Sequence, residues 1–423
     1  MNSPKKIAVI GSGVAGLTAA YLLNKKHDVH LLEKNTRIGG HTRTLIIPDG
    51  DDKGLAVDTG FIVMNKENYP HFSQLLKRLD VELQKSCMTF SYFDHITNYG
   101  YAGTSLKGLI PDLSYLFKLR HFALIGDLLR FAVIGYKDLK SGYLKDKTLG
   151  DYLDDRQFCP EFQNSYLFPM GAAIWSSPII KMRDFPAEPY LHFLENHGLL
   201  RLINRPQWYA VKGGSHTYVS AILKTLKNPP RTNVAIKEIL RPKNESVQIR
   251  FDSGSTKTFD HVIIATHADT ALELLGDPTP NEHAGLSPWN YQDNSVILHT
   301  DTEFMPPSKS LWASWNFIRK TGHQKSSPVS VSYYMNRLQR LKVKNPYIVT
   351  LNPQTEINPK AIINQTILTH PLYSFDALNA QKILRENIGE KNTWLCGSYF
   401  GYGFHEDAVQ SSVKVAEAFG IEL

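Results

Sequence analysis

The residues near the start of the chain that are best suited to chemistry are three glycines in Gly-Ser-Gly-Val-Ala-Gly, residues 11–16. An apolar, strand-like run precedes them at 7–10, and a helix-like run follows at 17–23. In such a turn the first glycine permits the tight bend, the second lets the backbone approach a diphosphate, and the third lets the helix pack closely on the strand. Glu33 ends a second strand-like run, at the distance from which an acidic side chain reaches ribose hydroxyls. The spacing therefore predicts a dinucleotide site on a βαβ unit.

The stretch after this first fingerprint carries Arg37, the pair Gly39 and Gly40, and then His41 and Thr42. An arginine fork suits phosphate oxygens, and paired glycines let a bulky ligand lie on bare backbone. This pattern resembles the second fingerprint of the flavin amine oxidase and phytoene desaturase superfamily, whose members bind FAD in an extended conformation. The usual form of the fingerprint has an arginine after the glycine pair. Position 41 is a histidine, so the role of that arginine is not carried over to it.

A third glycine-rich stretch lies near the C-terminus, where a strand-like run at 393–395 leads through Gly397 into an amphipathic helix. In the superfamily this helix directs its N-terminus at the flavin, where reduction places negative charge. The resemblance implies that residues 404–408 lie along that edge. The glycine that the family has before the alanine is Asp407 here. Because acids in a first helical turn are also favoured by capping, a cofactor role and a capping role both stay open for Glu406 and Asp407.

Together the fingerprints and the resemblance assign a set of cofactor-binding residues. They are Gly11, Gly13, Val14, Ala15, Gly16, Glu33, Lys34, Arg37, Gly39, Gly40, His41, Thr42, Thr59, Gly60, Phe61, Ile236, Gly397, Phe404, His405, Glu406 and Ala408. The catalytic candidates are Tyr402 and His405, the latter as a general base or as a group that holds charge at the reduced ring, with packing on the cofactor as its alternative role.

The other histidines and acids do not indicate a metal site. His405, Glu406 and Asp407 are neighbours along the chain, and neighbours rarely converge on one ion. His370 precedes a proline and is interpreted as structural. We therefore expect no metal.

The order of apolar runs predicts the fold class. Alternating runs at 234–239, 247–251 and 256–259 indicate a β-meander, and the unbroken apolar run at 262–267 indicates a central parallel strand. Further strand-like runs, including 329–334, indicate a second sheet that is roofed by helices. We expect an α/β fold with a Rossmann-like FAD-binding domain of the glutathione reductase type, as in amine oxidases, and an interleaved α+β substrate domain. The expected limits are 1–60, 206–270 and 391–423 for the FAD-binding domain, and 61–205 and 271–390 for the substrate domain.

The stretch Leu106–Tyr136 is the nearest approach to a membrane-spanning segment, but charged residues interrupt it. Its helical spacing of apolar residues fits helices that cover the substrate domain, which is the favoured interpretation, and leaves open a peripheral contact with a membrane surface. We expect no cleavable signal at the N-terminus, because glycines interrupt the apolar run there. The expected location is the cytoplasm, and a peripheral position at the inner membrane face is left open.

Composition excludes several classes of partner. The net charge of +7 is a mild basic excess over 423 residues, with no Lys/Arg cluster that interleaves aromatic residues, so nucleic acid is not expected. Three widely spaced cysteines suggest neither a disulfide framework nor a zinc site. The sequence does not disclose the oligomeric state.

The chemistry that these patterns favour is oxidation of a small-molecule or lipid substrate. With only one dinucleotide fingerprint, a pyridine nucleotide is not expected as a direct partner. The whole chain also resembles a branch of the superfamily that accompanies cyclopropane fatty acid synthase-like enzymes, through Trp312–Phe317, Met335–Gln339, Val349–Pro353, Thr369–Pro371 and Gly403–Asp407. That resemblance implies oxidation or desaturation of a modified or unsaturated fatty acyl chain. The alternatives are a flavin amine oxidase, a FAD-free lipid-binding protein like the Rab GDP-dissociation inhibitors, and a flavin-dependent isomerase.

Overall fold

The structure of the protein, a computed structural model, describes residues 3–175, 178–201, 203–242, 246–320, 330–387 and 389–423. Within these residues the strands are β1 (Lys6–Ile10), β2 (Asp28–Leu32), β3 (Thr44–Ile46), β4 (Ala56–Asp58), β5 (Val63–Asn65), β6 (Leu83–Lys85), β7 (Phe90–Asp94), β8 (Tyr99–Ala102), β9 (Trp208–Val211), β10 (Ile236–Leu240), β11 (Val247–Phe251), β12 (Thr256–Phe259), β13 (His261–Ile264), β14 (Asn290–His299), β15 (Trp315–Arg319), β16 (Val331–Tyr334), β17 (Ile348–Leu351), β18 (Ile362–Leu372) and β19 (Thr393–Leu395). The α-helices are α1 (Val14–Leu23), α2 (Pro70–Arg78), α3 (Leu106–Leu109), α4 (Leu119–Ser141), α5 (Leu149–Asp155), α6 (Pro160–Phe162), α7 (Phe168–Trp175), α8 (Ala187–Asn196), α9 (His216–Leu223), α10 (Ala268–Leu274), α11 (Pro280–Leu286), α12 (Met335–Leu338), α13 (Phe375–Glu386) and α14 (His405–Ala418).

A parallel sheet with the strand order β19-β13-β1-β2 forms the first unit of the fold, here called the parallel unit. Ile7, Val9 and Ile263 in its central strands have no exposed area. Strands that are apolar on both faces belong in a sheet that is covered on both sides. Residues of α1, α2 and α14 share one buried apolar core with this sheet. The predicted βαβ unit and central parallel strand are both observed.

Next to the parallel sheet lies the antiparallel meander β10-β11-β12. Its residues alternate between buried and exposed, as in β11, where Val247, Ile249 and Phe251 are buried and Arg250 is exposed. This alternation is typical of a sheet with one face on a core and one face in water. The predicted meander is therefore observed, with its first strand beginning at Ile236.

The seven-stranded sheet, here called the mixed sheet, has the order β18-β14-β17-β16-β15-β7-β8. All neighbours in it are antiparallel except β15 and β7, which run parallel. The second sheet was predicted, but its strands β7, β8 and β18 were not. Of the predicted strand at 329–334, Val329 lies outside the described residues.

Helices α4 to α8 cover one face of the mixed sheet and share a core of large side chains with it, including Tyr152, Phe162 and Tyr190. Leu124 and Phe131 of α4 are buried in this core, whereas Leu129 and Val133 on the same helix are exposed. Among the described residues, no helix is both long enough and apolar enough to cross a bilayer. The covering role that the sequence favoured for this region accounts for the buried residues of α4 but not for the exposed ones.

Candidate functional site

One large cavity, of about 730 Å³, lies between the parallel unit and the mixed sheet. Its nucleotide side consists of lining residues from the parallel unit and the meander, among them Gly11 to Ala15, Glu33 to Asn35, Gly40, His41, Ile236, Lys237, Asp252, His267 and Glu273. Its mixed-sheet side consists of lining residues from the mixed sheet, α7, α8 and the adjoining loops, among them Met88, Ala173, Ile174, Phe193, His197, Val296, Trp315, Tyr333, Val349, Leu351, Leu368 and His370.

The glycine turn has the geometry that a diphosphate needs. A Cβ on Gly11 would lie 2.7 Å from the carbonyl oxygen of Ala265, and one on Gly16 would overlap the carbonyl oxygen of Gly11. At Gly13 a Cβ would meet nothing within 4 Å. Gly13 also precedes α1 as its N-cap and lines the cavity. The turn therefore leaves open space at a helix N-terminus, where free N–H groups favour phosphate oxygens.

Glu33 lies at the end of β2 and lines the cavity, although only 7% of it is exposed. One of its carboxylate oxygens accepts hydrogen bonds from the backbone N–H and the hydroxyl of Ser12, at 2.9 and 2.6 Å. The other accepts from the backbone N–H of Asn35 at 2.9 Å. The carboxylate thus ties the glycine turn to the end of β2. Its contact with a ribose stays a prediction.

Arg37 does not line the cavity. Its guanidinium donates to the carbonyl oxygens of Thr42, at 2.8 Å, and Gly40, at 2.5 Å, so it closes the loop on itself. Gly40 has a φ of +56°, and a Cβ there would lie 2.9 Å from the Cα of Gly13. Arg37 therefore positions the loop that carries Gly40 against the turn, where the sequence suggested a direct phosphate contact.

The acids at the start of α14 act as caps. One carboxylate oxygen of Asp407 accepts from the backbone N–H groups of Tyr402 and Phe404, each at 2.9 Å. Glu406 accepts from the backbone N–H groups of His71 and Phe72, each at 3.0 Å, and so caps α2. Neither acid lines the cavity, so the geometry matches the capping role for both of them. Burial raises the pKa of Asp407 to about 6.

His405 lines the cavity from the first turn of α14. Its ring is stacked on Phe61 with the centroids 3.7 Å apart, and its Nε2 lies 3.2 Å from the Thr42 hydroxyl and 3.3 Å from the Tyr218 hydroxyl. Burial lowers the pKa of His405 to about 3. The ring is therefore neutral at physiological pH and is a weak base. Tyr402 lies outside the cavity lining, with its ring near that of His192.

The predicted cofactor residues divide into two groups by position. Those that line the cavity are Gly11, Gly13, Val14, Ala15, Glu33, Lys34, Gly40, His41, Thr59, Gly60, Phe61, Ile236, Gly397, Phe404, His405 and Ala408. Those that do not are Gly16, Arg37, Gly39 and Thr42, which hold the lining residues in place, and Glu406, which caps α2.

Three histidines, His41, His267 and His370, all line the cavity. The sequence analysis assigned His41 to the cofactor and interpreted His370 as structural, but it missed His267 and the meeting of the three rings. The ring centroids of His41 and His370 are 5.1 Å apart, and those of His41 and His267 are 6.0 Å apart. The three positions are far apart in the chain, so spacing gave no signal. Across the described residues, no set of three or more His, Cys, Asp or Glu side chains forms a metal-holding group.

Residues 14–338 match the family described as flavin containing amine oxidoreductase. The chain belongs to this family. Members of the flavin containing amine oxidoreductase family are FAD-dependent oxidoreductases of small molecules, and FAD is the cofactor of this chain. The open face of Gly13, the helix N-terminus behind it and the cavity of about 730 Å³ fit a dinucleotide of this kind. The FAD-free alternative is thereby set aside.

Two solved structures share the fold over nearly the whole chain, whereas the curated relative matches only a short stretch of it. The L-amino-acid oxidase of Crotalus adamanteus is 46% identical over 44 residues, which is 10% of this chain and 8% of that protein. The fatty acid isomerase of P. acnes that produces CLA has a TM-score of 0.66 at 15% identity and covers 99% of both chains. Cyclohexylamine oxidase from Brevibacterium oxydans has a TM-score of 0.68 at 13% identity and covers 99% of this chain and 100% of its own. At these identities the two structures show a shared fold.

Proposed function

We propose that the protein uses FAD to oxidise or desaturate an apolar substrate, a modified or unsaturated fatty acyl chain. The observation that carries this proposal is the composition of the mixed-sheet side of the cavity. None of its described lining residues is Asp, Glu, Lys or Arg, whereas Glu33, Lys34, Lys237, Asp252 and Glu273 all belong to the nucleotide side.

The energetics of burial favour an apolar occupant on the mixed-sheet side. Each CH₂ group moved there from water contributes about 0.8 kcal/mol. An unpaired charge moved to the same place costs several kcal/mol, because the described lining residues offer no opposite charge. An acyl chain therefore gains on entry, while the carboxylate of an amino acid finds no Lys or Arg partner on this side.

The chain's own residues in this proposal bind and orient. Bound FAD supplies the acceptor for a hydride equivalent. The glycine turn, the loop at Gly40 and the start of α14 would hold it, and Phe61 with its stacked partner His405 would border its reactive end. We propose that His405 keeps Phe61 and Thr42 in place, since a ring with a pKa of about 3 is poorly matched to proton transfer near neutral pH.

An amine is the second candidate substrate, and an aromatic cluster favours it. Phe193, His197, Trp208 and Phe404 line the cavity, and the rings of Phe193 and Phe404 are stacked with centroids 4.8 Å apart. Aromatic faces attract cationic amines. The same rings also suit a hydrocarbon.

Anaerobic mixing of the holoprotein with candidate substrates tests the proposal. We expect free or phospholipid-borne unsaturated and cyclopropane fatty acyl chains to bleach the flavin absorption, with product analysis showing a new double bond. Bleaching by primary or secondary amines alone would overturn the acyl proposal in favour of an amine oxidase. A shifted double bond without any net bleaching would overturn it in favour of an isomerase.

The acyl proposal includes contact with an anionic membrane surface, because an apolar patch is exposed above the helical cover. Leu106, Phe117 and Leu119 are 81%, 84% and 85% exposed. Lys118 lies between Phe117 and Leu119 in the chain, and Arg120 follows Leu119. The Nζ of Lys118 is 3.9 Å from the ring centroid of Tyr115. Exposed apolar residues beside cations match the two attractions that hold a protein on an anionic bilayer.

A further inference from the structure

The three histidines on the cavity wall meet where the glycine turn faces the mixed sheet. His41 follows Gly40, which approaches the Cα of Gly13. His267 follows the Ala265–Thr266 segment, whose backbone packs over Gly11. His370 lies on β18 and reaches the same place from the mixed sheet. Three separate segments thus bring imidazoles to the edge of the space left open at Gly13.

Neighbouring side chains and backbone groups hold the three imidazole rings in position. Nδ1 of His370 lies 2.9 Å from the side-chain amide of Asn294. His267 is stacked on Tyr291 with the centroids 4.5 Å apart. His41 has a hydrogen bond to the backbone of Thr369, while its Nε2 is buried and has no hydrogen-bond partner. A buried ring nitrogen without a partner costs free energy unless a ligand satisfies it.

We infer that His41, His267 and His370 form an anion site that takes the diphosphate of FAD, and that cofactor binding is coupled to proton uptake by these rings. His267 and His370, which belong to no fingerprint, thereby become ligands of the cofactor. His41 provides a cationic donor in the loop where related sequences have an arginine. The inference rests on the cofactor and not on the identity of the substrate.

The charge balance of the site explains the coupling. Burial and the neighbouring histidines hold the pKa of His41 well below its usual value, and burial lowers the pKa of His370 to about 4. The other titratable groups that act on the cluster are His405, which lowers the pKa of His41, and the carboxylates of Asp269 and Asp293, which raise that of His267. The rings are therefore neutral without a ligand. A bound dianion opposes the burial effect and favours their protonated, doubly donating form.

The sign of the pH dependence follows from this linkage. Since the complex holds more protons than the free protein, FAD binds more tightly as the pH falls and more weakly as the pH rises through the pKa values of the complex. A charge-assisted hydrogen bond contributes a factor of about 10 to 100 in affinity.

Phosphorus NMR of the holoprotein tests the inference without any measurement of activity. The diphosphate of free FAD stays ionised between about pH 5.5 and 8.5, so a titration of its bound resonances in this range reports neighbouring groups. We expect the wild-type resonances to shift with pH and those of His41→Gln and His370→Asn to shift less. Resonances that do not move with pH in the wild type would overturn the inference, even if the variants fail to fold.

The rate of FAD release from the diluted holoprotein, followed by flavin fluorescence, is the second measurement. We expect release from His41→Gln to be about 10-fold faster than from wild type at about pH 6, with a smaller ratio at about pH 8.5. His283→Gln, at an exposed histidine on α11, is the matched control and should release FAD as wild type does. An equal ratio at both pH values would overturn the inference. So would unchanged release together with weaker flavin bleaching by a fatty acid but not by its alcohol, because the cluster would then hold a substrate carboxylate.

Discussion

The two sides of the cavity recognise their occupants by different means. The nucleotide side is built from backbone, glycines and a few charged groups, of which Glu33 and Lys34 directly follow β2. The mixed-sheet side is built from single side chains, such as Val296, Trp315 and Leu351, that come from separate strands. The nucleotide side therefore recognises one ligand through its local backbone geometry. The mixed-sheet side disfavours charged ligands but does not select one ligand shape.

This difference means that the two sides should respond separately to substitution. A change on the nucleotide side should remove FAD. A change on the mixed-sheet side, apart from His370 beside the glycine turn, should alter the substrate while FAD stays bound. Each of the following substitutions measures whether that separation holds.

The largest effect is expected from Gly13→Glu. The Cβ would meet no atom within 4 Å, so the fold is expected to survive, while the new carboxylate occupies the space for the diphosphate. Repulsion between these charges and the lost N–H contacts should weaken FAD binding by about 100-fold or more. Flavin content of the purified protein and calorimetric titration with FAD are the measurements. Gly126→Glu, at an exposed glycine of α4 with equally open surroundings, is the control and should retain its flavin.

Met88→Arg places a charge on the mixed-sheet side. Met88 is half-buried and lines the cavity there, so the guanidinium is expected to reach solvent in part and leave the fold intact. We expect the anaerobic bleaching rate with an acyl substrate to fall by about 10-fold or more while flavin content is unchanged. Met88→Leu keeps the apolar surface and should behave as wild type. Loss of flavin in the arginine variant would show that the two sides are not separable.

A smaller effect is expected from His197→Phe, which tests the neutrality of the mixed-sheet side. Burial lowers the pKa of His197 to about 4, and its ring is stacked on Phe193 with centroids 3.7 Å apart. Because the folded-state pKa lies below the unfolded value of about 6.5, this residue's contribution to stability is complete above pH 6.5 and is lost as the pH falls towards 4.

The phenylalanine of the variant cannot be protonated. Between about pH 6.5 and about pH 4, its free energy of unfolding in urea should therefore decrease by about 2 to 3 kcal/mol less than the wild-type value does. The variant also loses the bond from Nδ1 to the Phe193 carbonyl, which lowers stability equally at every pH. Parallel losses in both proteins would show that His197 is not held neutral by its surroundings.

The smallest effect on the cavity is expected from Phe117→Ser combined with Leu119→Ser. Neither residue lines the cavity on either side. We expect sedimentation with phosphatidylglycerol vesicles to weaken by about 10-fold, since two exposed apolar side chains are lost, while flavin content and unfolding midpoint stay unchanged. Ile367→Ser, at a 64% exposed residue on β18, is the control and should bind vesicles as wild type does. Equal binding by all three proteins would remove the membrane contact from the proposal.

How much could be predicted from the sequence follows the same division. The glycine turn, β2 and α14 were predictable because their residues lie within a few positions of one another. The strands β7 and β18 were harder, since their partners β15 and β14 are distant in the chain. The strand β8 forms a local hairpin with β7 and was missed for no such reason. Distance along the chain also hid the capping of α2 by Glu406 across 335 positions and the meeting of His41 with His370. The sequence shows that position 41 departs from the fingerprint. It does not show that His370 lies beside it.

The order in which the parallel sheet is assembled has a consequence for the nascent chain. β1 leaves the ribosome first, yet its neighbour β13 and the outer strand β19 follow more than 250 and 380 residues later. Pairing across such separations is slow, and an unpaired strand edge attracts other chains. During translation the glycine turn is therefore exposed beside an unpaired edge of β1 until β13 arrives. Chaperones that shield β-edges, or early capture of the flavin nucleotide, would raise the yield of correctly folded protein in the cell.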